Sequence, residues 1–573
     1  MRKNFIYYDF YSILFYELRM LGATLTSMKT DGGIMLKHGV DHVLIRENQI
    51  FAYGWGFAPG LSIHKVVLIL HFDQVKPSIE LNANYGQRRD DVRKKYHATP
   101  EANDAGFLVL AETGEQKISR IELRWELSEN SILTTQVHFT QRQEHENALS
   151  KVAHYAVLAK KSLLLLKNSG PKALVNKVLR YKTGRPQTLD SAIWKKLIHQ
   201  LTSRPCAVVV DHDMGGGANI YRQKHIADRL AAGENVLMLG FHIASLQYFV
   251  EFYDGKSPTR YSIASIEEFV YLLGYSQIQH ILYNCAVSFR QPLSVINMLV
   301  TLRKHVHCEL QVVVHDYFAI CPSHFLINDK GTFCDVPDLN ECQRCISAHT
   351  DGFVSVSSVR DIQQWRNTWS TLLIAADEVR LFSEASERLL HRAYPDVPQN
   401  NWRVQPHTLH TAVKKVSVTP AEELHIGVVG LIGKHKGAEI INALAREIQK
   451  RHSNIKITVI GTIEARVPGH IVNVTGPYQP KQLSNIIQES GANVFLLPSI
   501  WAETFSYVSH ELVDMGVPFA CFNFGAPADL AKAYEKGLVL SSMQPATVLD
   551  ELERFWQQTV LKKKEVIWMN AVA

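Results

Sequence analysis

The sequence predicts an α/β protein: two Rossmann-like domains in succession, preceded by an all-β sandwich domain and a basic helical linker. Three observations predict it. Between Gln49 and Phe139, short alternating apolar stretches are separated by turn residues, the pattern of a sandwich. From Cys206 the pattern turns into apolar strands alternating with helices, with a glycine-rich loop after the first strand. After Gln405 the same alternation begins again.

A chain of 573 residues predicts three or so domains, and 46% hydrophobic with 20% charged residues is a composition that buries sizeable cores. The formal net charge of +6 is mild. It suits phosphate-bearing ligands or an anionic membrane surface and does not point to nucleic acid. No apolar run is long enough to span a bilayer. The opening stretch MRKNFIYYDFYSILFYELRML carries Asp9 and Glu17 and lacks a small-residue cleavage site, so it makes a poor signal peptide and reads as a docked or interfacial helix. Four of the eight cysteines fall between 321 and 345. With no signal peptide, that distribution argues for a reducing cytosol and against a disulfide framework. The expected location is cytoplasmic, with peripheral attachment to the inner face of the membrane.

Residues 1–45 form no clear domain. The sandwich is expected over 46–140, from the stretches IFAYGW, VVLILHF, SIELNANY, GFLVLAE, RIELRWEL and ILTTQVHF. It shows no catalytic constellation, so packing and spacing outweigh glycan or partner binding as its role. Residues 141–203 read as helical and basic, with Lys151, Lys160, Lys161, Lys167, Lys172, Lys177, Arg180, Lys182, Arg185, Lys195 and Lys196; from Lys151 to Gln200 only Asp190 is acidic. Such a segment is a solvated linker or an amphipathic binder of anionic surfaces, and the linker reading is the simpler.

The first Rossmann-like domain is expected over 204–408. AVVV (207–210) is its first strand, followed by Asp211-His212-Asp213-Met214-Gly215-Gly216-Gly217-Ala218-Asn219 and a helix. Glycines there let backbone N–H groups approach a ligand closely. The loop is not a Walker loop, since no Gly-Lys-Ser/Thr follows, and not the dinucleotide fingerprint, since Ile220 occupies the third glycine position. NVLMLGF, HILYN, LQVVVH and VRLFS supply further strands. The third of these ends in His315-Asp316, at the carboxyl edge where ligands of parallel sheets bind. The alternative is a capped strand end.

Cys321, Cys334, Cys342 and Cys345 include a CxxC pair, and four cysteines in one loop region can form a tetrahedral structural zinc site. Reduced, partly buried thiols are the plainer reading. A redox pair would need a thioredoxin-like context that the sequence lacks.

The second Rossmann-like domain is expected over 409–573, with strands HIGVVG, KITVIG and NVFLLP. The stretch LLPSIWAETFSYVSHELVDMGVP, Leu496 to Pro518, is its centre. A strand ends at Pro498-Ser499, a loop carries Glu503, and a helix carries Glu511 two turns in, with seven residues between the two carboxylates. Strand end, loop and helix N-terminus make an anion site flanked by two acids, the layout a nucleotide-sugar needs.

Pro498, Ser499, Glu503, Phe505, Glu511, Gly516 and Pro518 together resemble the donor-site motif of retaining glycosyltransferases of family 4, which have the GT-B fold of two facing Rossmann-like domains. The phrase His315-Asp316-Tyr317-Phe318-Ala319-Ile320-Cys321-Pro322 is similar to phrases in rhamnan and O-antigen transferases. Gly54-Trp55-Gly56, Tyr85-Gly86 with Arg89-Asp90-Asp91-Val92, and Ala105-Gly106-Phe107 resemble an accessory β domain of surface-polysaccharide transferases. The loop Gly215-Gly216-Gly217 resembles the glycine loop of GT-B enzymes.

Gly430-Leu431-Ile432-Gly433-Lys434-His435-Lys436-Gly437 resembles the family's G-R-L-x-x-x-K-G turn, with Lys436 on the lysine and Leu431 in place of the arginine. Half of the usual diphosphate clamp is therefore absent, and Lys434 or helix N-termini stand in for it. Gly476-Pro477-Tyr478 lies where the family contacts the base. A C-terminal amphipathic helix, LDELERFWQQTV, is expected to cross back to the first domain.

The resemblance covers about 204–560 and implies a retaining transfer from a nucleotide-diphosphate sugar to a glycan or polyprenol-linked acceptor, with no cofactor required for catalysis. It places Glu503, Thr504, Phe505, Ser506 and Glu511 at the donor, Glu503 on sugar hydroxyls and Glu511 on the ribose. Lys436 stabilises the leaving group, and His315 and Asp316 line the reacting face. Surface-polysaccharide assembly with a deoxyhexose such as rhamnose is the implied process. The rivals are another GT-B nucleotide-sugar enzyme, such as an epimerase, and a decayed scaffold, which the missing arginine at Leu431 keeps open.

Overall fold

The structure is a computed structural model. It describes residues 24–29, 35–46, 49–73, 77–87, 89–113, 118–127, 131–137, 187–188, 191–213, 217–349, 354, 359–409, 413–418 and 423–561. The opening aromatic stretch, most of the basic linker, Gly215 and Gly216 lie outside the described residues.

Among the described residues nine strands build the N-terminal region: β1 (Thr24–Lys29), β2 (Met35–Arg46), β3 (Gln49–Phe57), β4 (Ile63–Phe72), β5 (Ile79–Asn82), β6 (Asn84–Gln87), β7 (Gly106–Glu112), β8 (Ile118–Leu127) and β9 (Ile132–Val137). They form two antiparallel sheets, β1-β2-β3-β7-β6 and β5-β4-β8-β9. The stretch SIELNANY is not one strand. It changes sheet at Ala83, so β5 and β6 pair with different partners. Strands β1 and β2 extend the first sheet into residues that show no domain pattern in the sequence.

Ile50, Ala52 and Val109 of one sheet meet Val66, Leu68, Leu123 and Trp125 of the other in a single core. A Cβ on Gly56 would lie 2.4 Å from the Trp125 ring, and one on Gly54 would lie 2.3 Å from the Gly39 carbonyl. Both glycines of the Gly-Trp-Gly phrase are there for close packing. The opposite face of β3 and β7 is buried too: Phe51, Tyr53 and Leu108 belong to the core of the following α/β domain. This explains why β3 is buried along its whole length and reads as a nearly continuous apolar run.

The second region is a nine-stranded sheet, β10-β14-β13-β12-β11-β15-β16-β17-β18. Its strands are β10 (Gln187–Thr188), β11 (Pro205–Val210), β12 (Asn235–His242), β13 (Gln247–Tyr253), β14 (Thr259–Ile263), β15 (Gln277–Tyr283), β16 (Glu309–Val313), β17 (Glu378–Leu381) and β18 (Trp402–Val404). All neighbours are parallel except the pairs β12–β13 and β13–β14, so β13 and β14 form an antiparallel insertion. The third region is a six-stranded parallel sheet, β21-β20-β19-β22-β23-β24. It comprises β19 (His425–Ile432), β20 (Lys456–Ile463), β21 (Val472–Val474), β22 (Val494–Leu497), β23 (Phe519–Phe522) and β24 (Gly537–Leu540). In each sheet the chain runs outward on one side of its first parallel strand and then returns to the other. The switch points are therefore between β11 and β15 and between β19 and β22, and crevices open there at the carboxyl ends.

The C-terminal helix Pro545–Trp556 does not cross back within the described residues. Val548, Leu549, Leu552 and Trp556 join the core of the six-stranded sheet, and Arg451 pairs with Asp550 at 2.7 Å. Its apolar stripe has a partner in its own domain, the helix Ala438–Lys450, which leaves no uncovered stripe to draw it elsewhere. Among the described residues no helix is long and apolar enough to cross a membrane.

Candidate functional site

The two switch points face one another, and the predicted site residues gather around them. On the second domain, the turn after β19 winds through Lys436 N to Gly433 O (3.0 Å) and Gly437 N to Lys434 O (3.1 Å). Gly437 has φ +84° and caps the helix Ala438–Lys450. A Cβ there would stand 2.0 Å from the Pro498 carbonyl, so only glycine lets the turn close on the end of β22. Ile500 N donates to the His435 carbonyl (3.0 Å), a second tie between the same two loops. The structure thus sets the Lys436 turn beside the Pro498–Glu503 loop. Lys434 is exposed and Lys436 half-buried.

Glu503 is 8% exposed, and Ser499 donates its hydroxyl to Oε1. Ala526 N donates to the Glu503 carbonyl (2.8 Å). Gly525, at φ +70°, packs so closely that a Cβ would meet Glu503 N at 2.6 Å. The loop is held from beneath while Oε2 keeps no hydrogen bond among the described residues.

Ser506 caps the helix Tyr507–Met515 by accepting from Ser509 N. Glu511 is the fifth residue of that helix, one turn past its start and not two. It is half-buried and makes no hydrogen bond or ion pair among the described residues. Burial, with Asp514 adding to it, pushes its carboxyl up to about 7. A carboxylate kept this way, with no partner among the described residues, is suited to accepting hydroxyl hydrogens from a ligand.

Gly476 N bonds the Gly461 carbonyl (2.9 Å), which places Gly476-Pro477-Tyr478 at the end of β20; Tyr478 packs against the second domain's core and Pro477 is exposed.

The first domain contributes His315, just past β16. Its Nε2 meets Asn284 Oδ1 at 2.8 Å, and Asn284 Nδ2 donates to the Ala218 carbonyl at 3.0 Å. That carbonyl can only accept, so the amide must present its oxygen to the imidazole. His315 therefore carries its proton on Nε2 and offers a bare Nδ1. Burial, with His407 and His212 nearby, holds its pKa well below the usual histidine value, so the ring is neutral. Tyr221, Phe382 and His407 surround it, the last in the connection between the two domains.

Asp316 is turned inward. It accepts from Phe318 N (2.8 Å) and from the Cys285 thiol (3.2 Å), and burial raises its pKa. That is the capped strand end, and of the two residues it is His315 whose polar atom remains available.

Gly217 begins the helix Gly217–Ala231, and a Cβ on it would lie 3.5 Å from the Tyr507 ring. Two helix N-termini, one from each domain, thus look at the same space. At the end of β11, Asp211 is fully buried and pairs with Arg222 (2.7 Å), while Asp213 takes two bonds from Arg260 of the antiparallel insertion.

Contacts across the cleft are direct. Thr504 donates to the His315 carbonyl at 2.7 Å. Phe505 packs against the first-domain cluster that holds Val313 and Phe382. The Phe325 ring stacks on His435 (4.3 Å, 12°) and leans on Trp501 (4.6 Å). Arg388 pairs with Asp529 at 2.7 Å. Asn284, His407 and the ring group Phe325–His435–Trp501 were not foreseen. A polar residue closing the apolar stretch HILYN was the one available signal, for Asn284.

The four cysteines lie close enough together that Cys334, Cys342 and Cys345 each help raise the pKa of Cys321, but they are not arranged as a metal site. Among the described residues no group of three or more His, Cys, Asp or Glu could hold a metal ion. Cys345 Sγ accepts from Asp329 N (3.4 Å), Cys342 Sγ sits 3.3 Å from the Arg366 guanidinium, and burial raises the pKa of all four thiols.

The turn, loop and helix that carry Lys436, Glu503 and Glu511 all lie in one segment. Residues 411–570 match the family model for Glycosyl transferases group 1. That match falls on the six-stranded domain. No curated protein sequence matches the chain. Among solved structures, it is similar to a lipopolysaccharide outer core galactosyltransferase, WaaB, in its apo form, at 12% identity and a TM-score of 0.38, covering 62% of this chain and 91% of that one. It is also similar to a structure described as trehalose-6-phosphate from E. coli bound with UDP-2-fluoro glucose, at 11% identity and a TM-score of 0.37 over 62% and 98%. A third is the catalytic domain of starch synthase IV from Arabidopsis thaliana bound to ADP and acarbose, at 10% identity and a TM-score of 0.35 over 65% and 100%. Likeness at this level says nothing of substrate or of shared side chains.

Proposed function

We propose that this protein is a GT-B glycosyltransferase that moves a sugar from a nucleotide-diphosphate sugar to a glycan or polyprenol-linked acceptor, with retention of anomeric configuration. One observation carries the reading: within the segment that matches the group 1 family, the Lys436 turn and the Glu503 loop are tied together at Gly437–Pro498, opposite His315 and Gly217 of the other domain. The diphosphate would lie over the Lys436 turn and the N-terminus of the helix Tyr507–Met515, where an ammonium and backbone N–H groups offset the charge that develops on it. Glu511 would take the ribose hydroxyls. The free Oε2 of Glu503 would take sugar hydroxyls, its other oxygen being held by Ser499. Neutral His315 would accept a hydroxyl hydrogen at Nδ1. Leu431 puts no cation where the family has arginine, so Lys436 and the helix termini carry the whole diphosphate.

Transfer of labelled sugar from a panel of nucleotide-diphosphate sugars to a lipid extract tests the activity. Product with one donor, lost in Lys436→Ala, is expected; no transfer from any donor, with no thermal shift from any nucleoside diphosphate, overturns it. The acceptor would be lipid-borne, in surface-polysaccharide assembly with a deoxyhexose such as rhamnose. The basic segment 151–196 would bring the enzyme to an anionic membrane, each cation near the surface contributing on the order of 1 kcal/mol. Sedimentation with vesicles containing acidic lipid is expected to exceed that with neutral vesicles and to fall with salt. Equal sedimentation in both would leave the segment a linker.

A further inference from the structure

The loop bearing Glu503 is built into both domains. Trp501 and Ala502 belong to the apolar core of the first domain, 8% and 0% exposed, although the chain reaches them from β22 of the second. Phe505 packs against the first domain's sheet as well. Between them Thr504 is 5% exposed, and its hydroxyl lies 2.7 Å from the His315 carbonyl. That carbonyl is at the carboxyl edge of β16, beyond the last ladder residue Val313. The imidazole of the same residue continues the chain of bonds through Asn284 to the Ala218 carbonyl, in the first turn of the helix that follows the glycine loop. Thr504, His315, Asn284 and Ala218 therefore join four segments of the cleft in one hydrogen-bonded line.

From these contacts we infer that Thr504 is a positioning residue: its bond to the His315 carbonyl holds the Glu503 carboxylate in place only while the loop is seated on the first domain. The inference rests on the reading of Glu503 as the sugar-binding acid. Nucleotide binding, which uses Lys436 and Glu511 on the second domain alone, would not depend on the seating. Recognition of the sugar would. Free nucleoside diphosphate and intact donor are then distinguished by whether the two domains meet, so an unseated enzyme does not commit the donor to reaction.

The test compares Thr504→Val, which keeps the shape and removes the donor hydroxyl, with Thr504→Ser, which keeps the hydroxyl. Thr504→Val is expected to lose roughly three- to tenfold in kcat/KM for the donor, the effect of one hydrogen bond. Its affinity for the free nucleoside diphosphate should stay within about twofold of the parent, and Thr504→Ser should stay within about twofold in both. Amide exchange over 500–505 should accelerate in Thr504→Val and not in Thr504→Ser, a readout that needs no activity. Parent kcat/KM and parent exchange in Thr504→Val overturn the inference, as does an equal loss in both variants. If Glu503→Gln also transfers sugar at the parent rate, the sugar-site reading itself is what fails, and the exchange result alone decides whether Thr504 seats the loop.

Discussion

At the residue scale, the two glutamates that flank the donor loop differ in what the protein gives them. Glu503 has one oxygen on Ser499 and Glu511 has no partner among the described residues. A charge-assisted hydrogen bond contributes roughly 1.5–3 kcal/mol. Glu503→Gln is therefore expected to slow transfer on the order of ten- to a hundredfold while free-nucleotide affinity holds. Glu511→Gln should weaken the nucleotide itself; calorimetric titration beside a transfer assay separates the two. Glu511 also has a pH signature. Its folded pKa is raised to about 7 from 4.5, so ionising it costs the free protein stability as pH rises from 4.5 through 7. Hydroxyls that favour the carboxylate would pull the proton off. Titrations near pH 7 in buffers of different ionisation enthalpy should show release of about half a proton per nucleotide bound, absent in Glu511→Gln.

At the element scale, what makes a site of these strands is the meeting of loops at the carboxyl ends of β19 and β22. Gly437 is the pivot, with φ +84° and the Pro498 carbonyl where a Cβ would be. Gly437→Ala should lose at least about 1–3 kcal/mol of stability from the left-handed backbone alone, and the clash should part the Lys436 turn from the Glu503 loop. A lowered Tm together with weakened nucleotide binding is the expected pair of results. An unchanged Tm would mean that the turn has room to shift. The strand-turn-helix pattern of this region was legible because parallel strands are apolar throughout and their helices begin at glycine or serine. The sheet change at Ala83 and the β13–β14 insertion were not, since both depend on which strand a segment finds as a neighbour.

At the scale of the whole molecule, the N-terminal sheets and the first α/β domain share burial: Phe51, Tyr53 and Leu108 lie in the α/β core. Tyr53→Ala should cost roughly 3–5 kcal/mol, as removal of a buried aromatic does. Calorimetry should then show the N-terminal sheets unfolding apart from the α/β domain. A single transition shifted to lower temperature would mean that Phe51 and Leu108 are enough to couple them. The same sharing operates across the cleft, where Trp501 and Ala502 complete a core whose α/β members begin at Leu197.

The sequence by itself determined the local grammar: the parallel strands of the two α/β domains, where they end in polar residues, and the phosphate turn and donor loop whose spacing matches a known motif. These are properties of neighbours in the chain, set by periodicity, glycine and capping. Tertiary structure alone decided that Asp316 faces inward while His315 offers a nitrogen, because Asn284 and Cys285 arrive from β15. It decided that the terminal helix stays on its own domain through Leu561. It also decided that Thr504, in a loop motif read as ligand-binding, bonds a carbonyl of the other domain. Each of these turns on a partner far away in the sequence, and periodicity carries no information about which distant group will fill a hydrogen bond or a gap in packing.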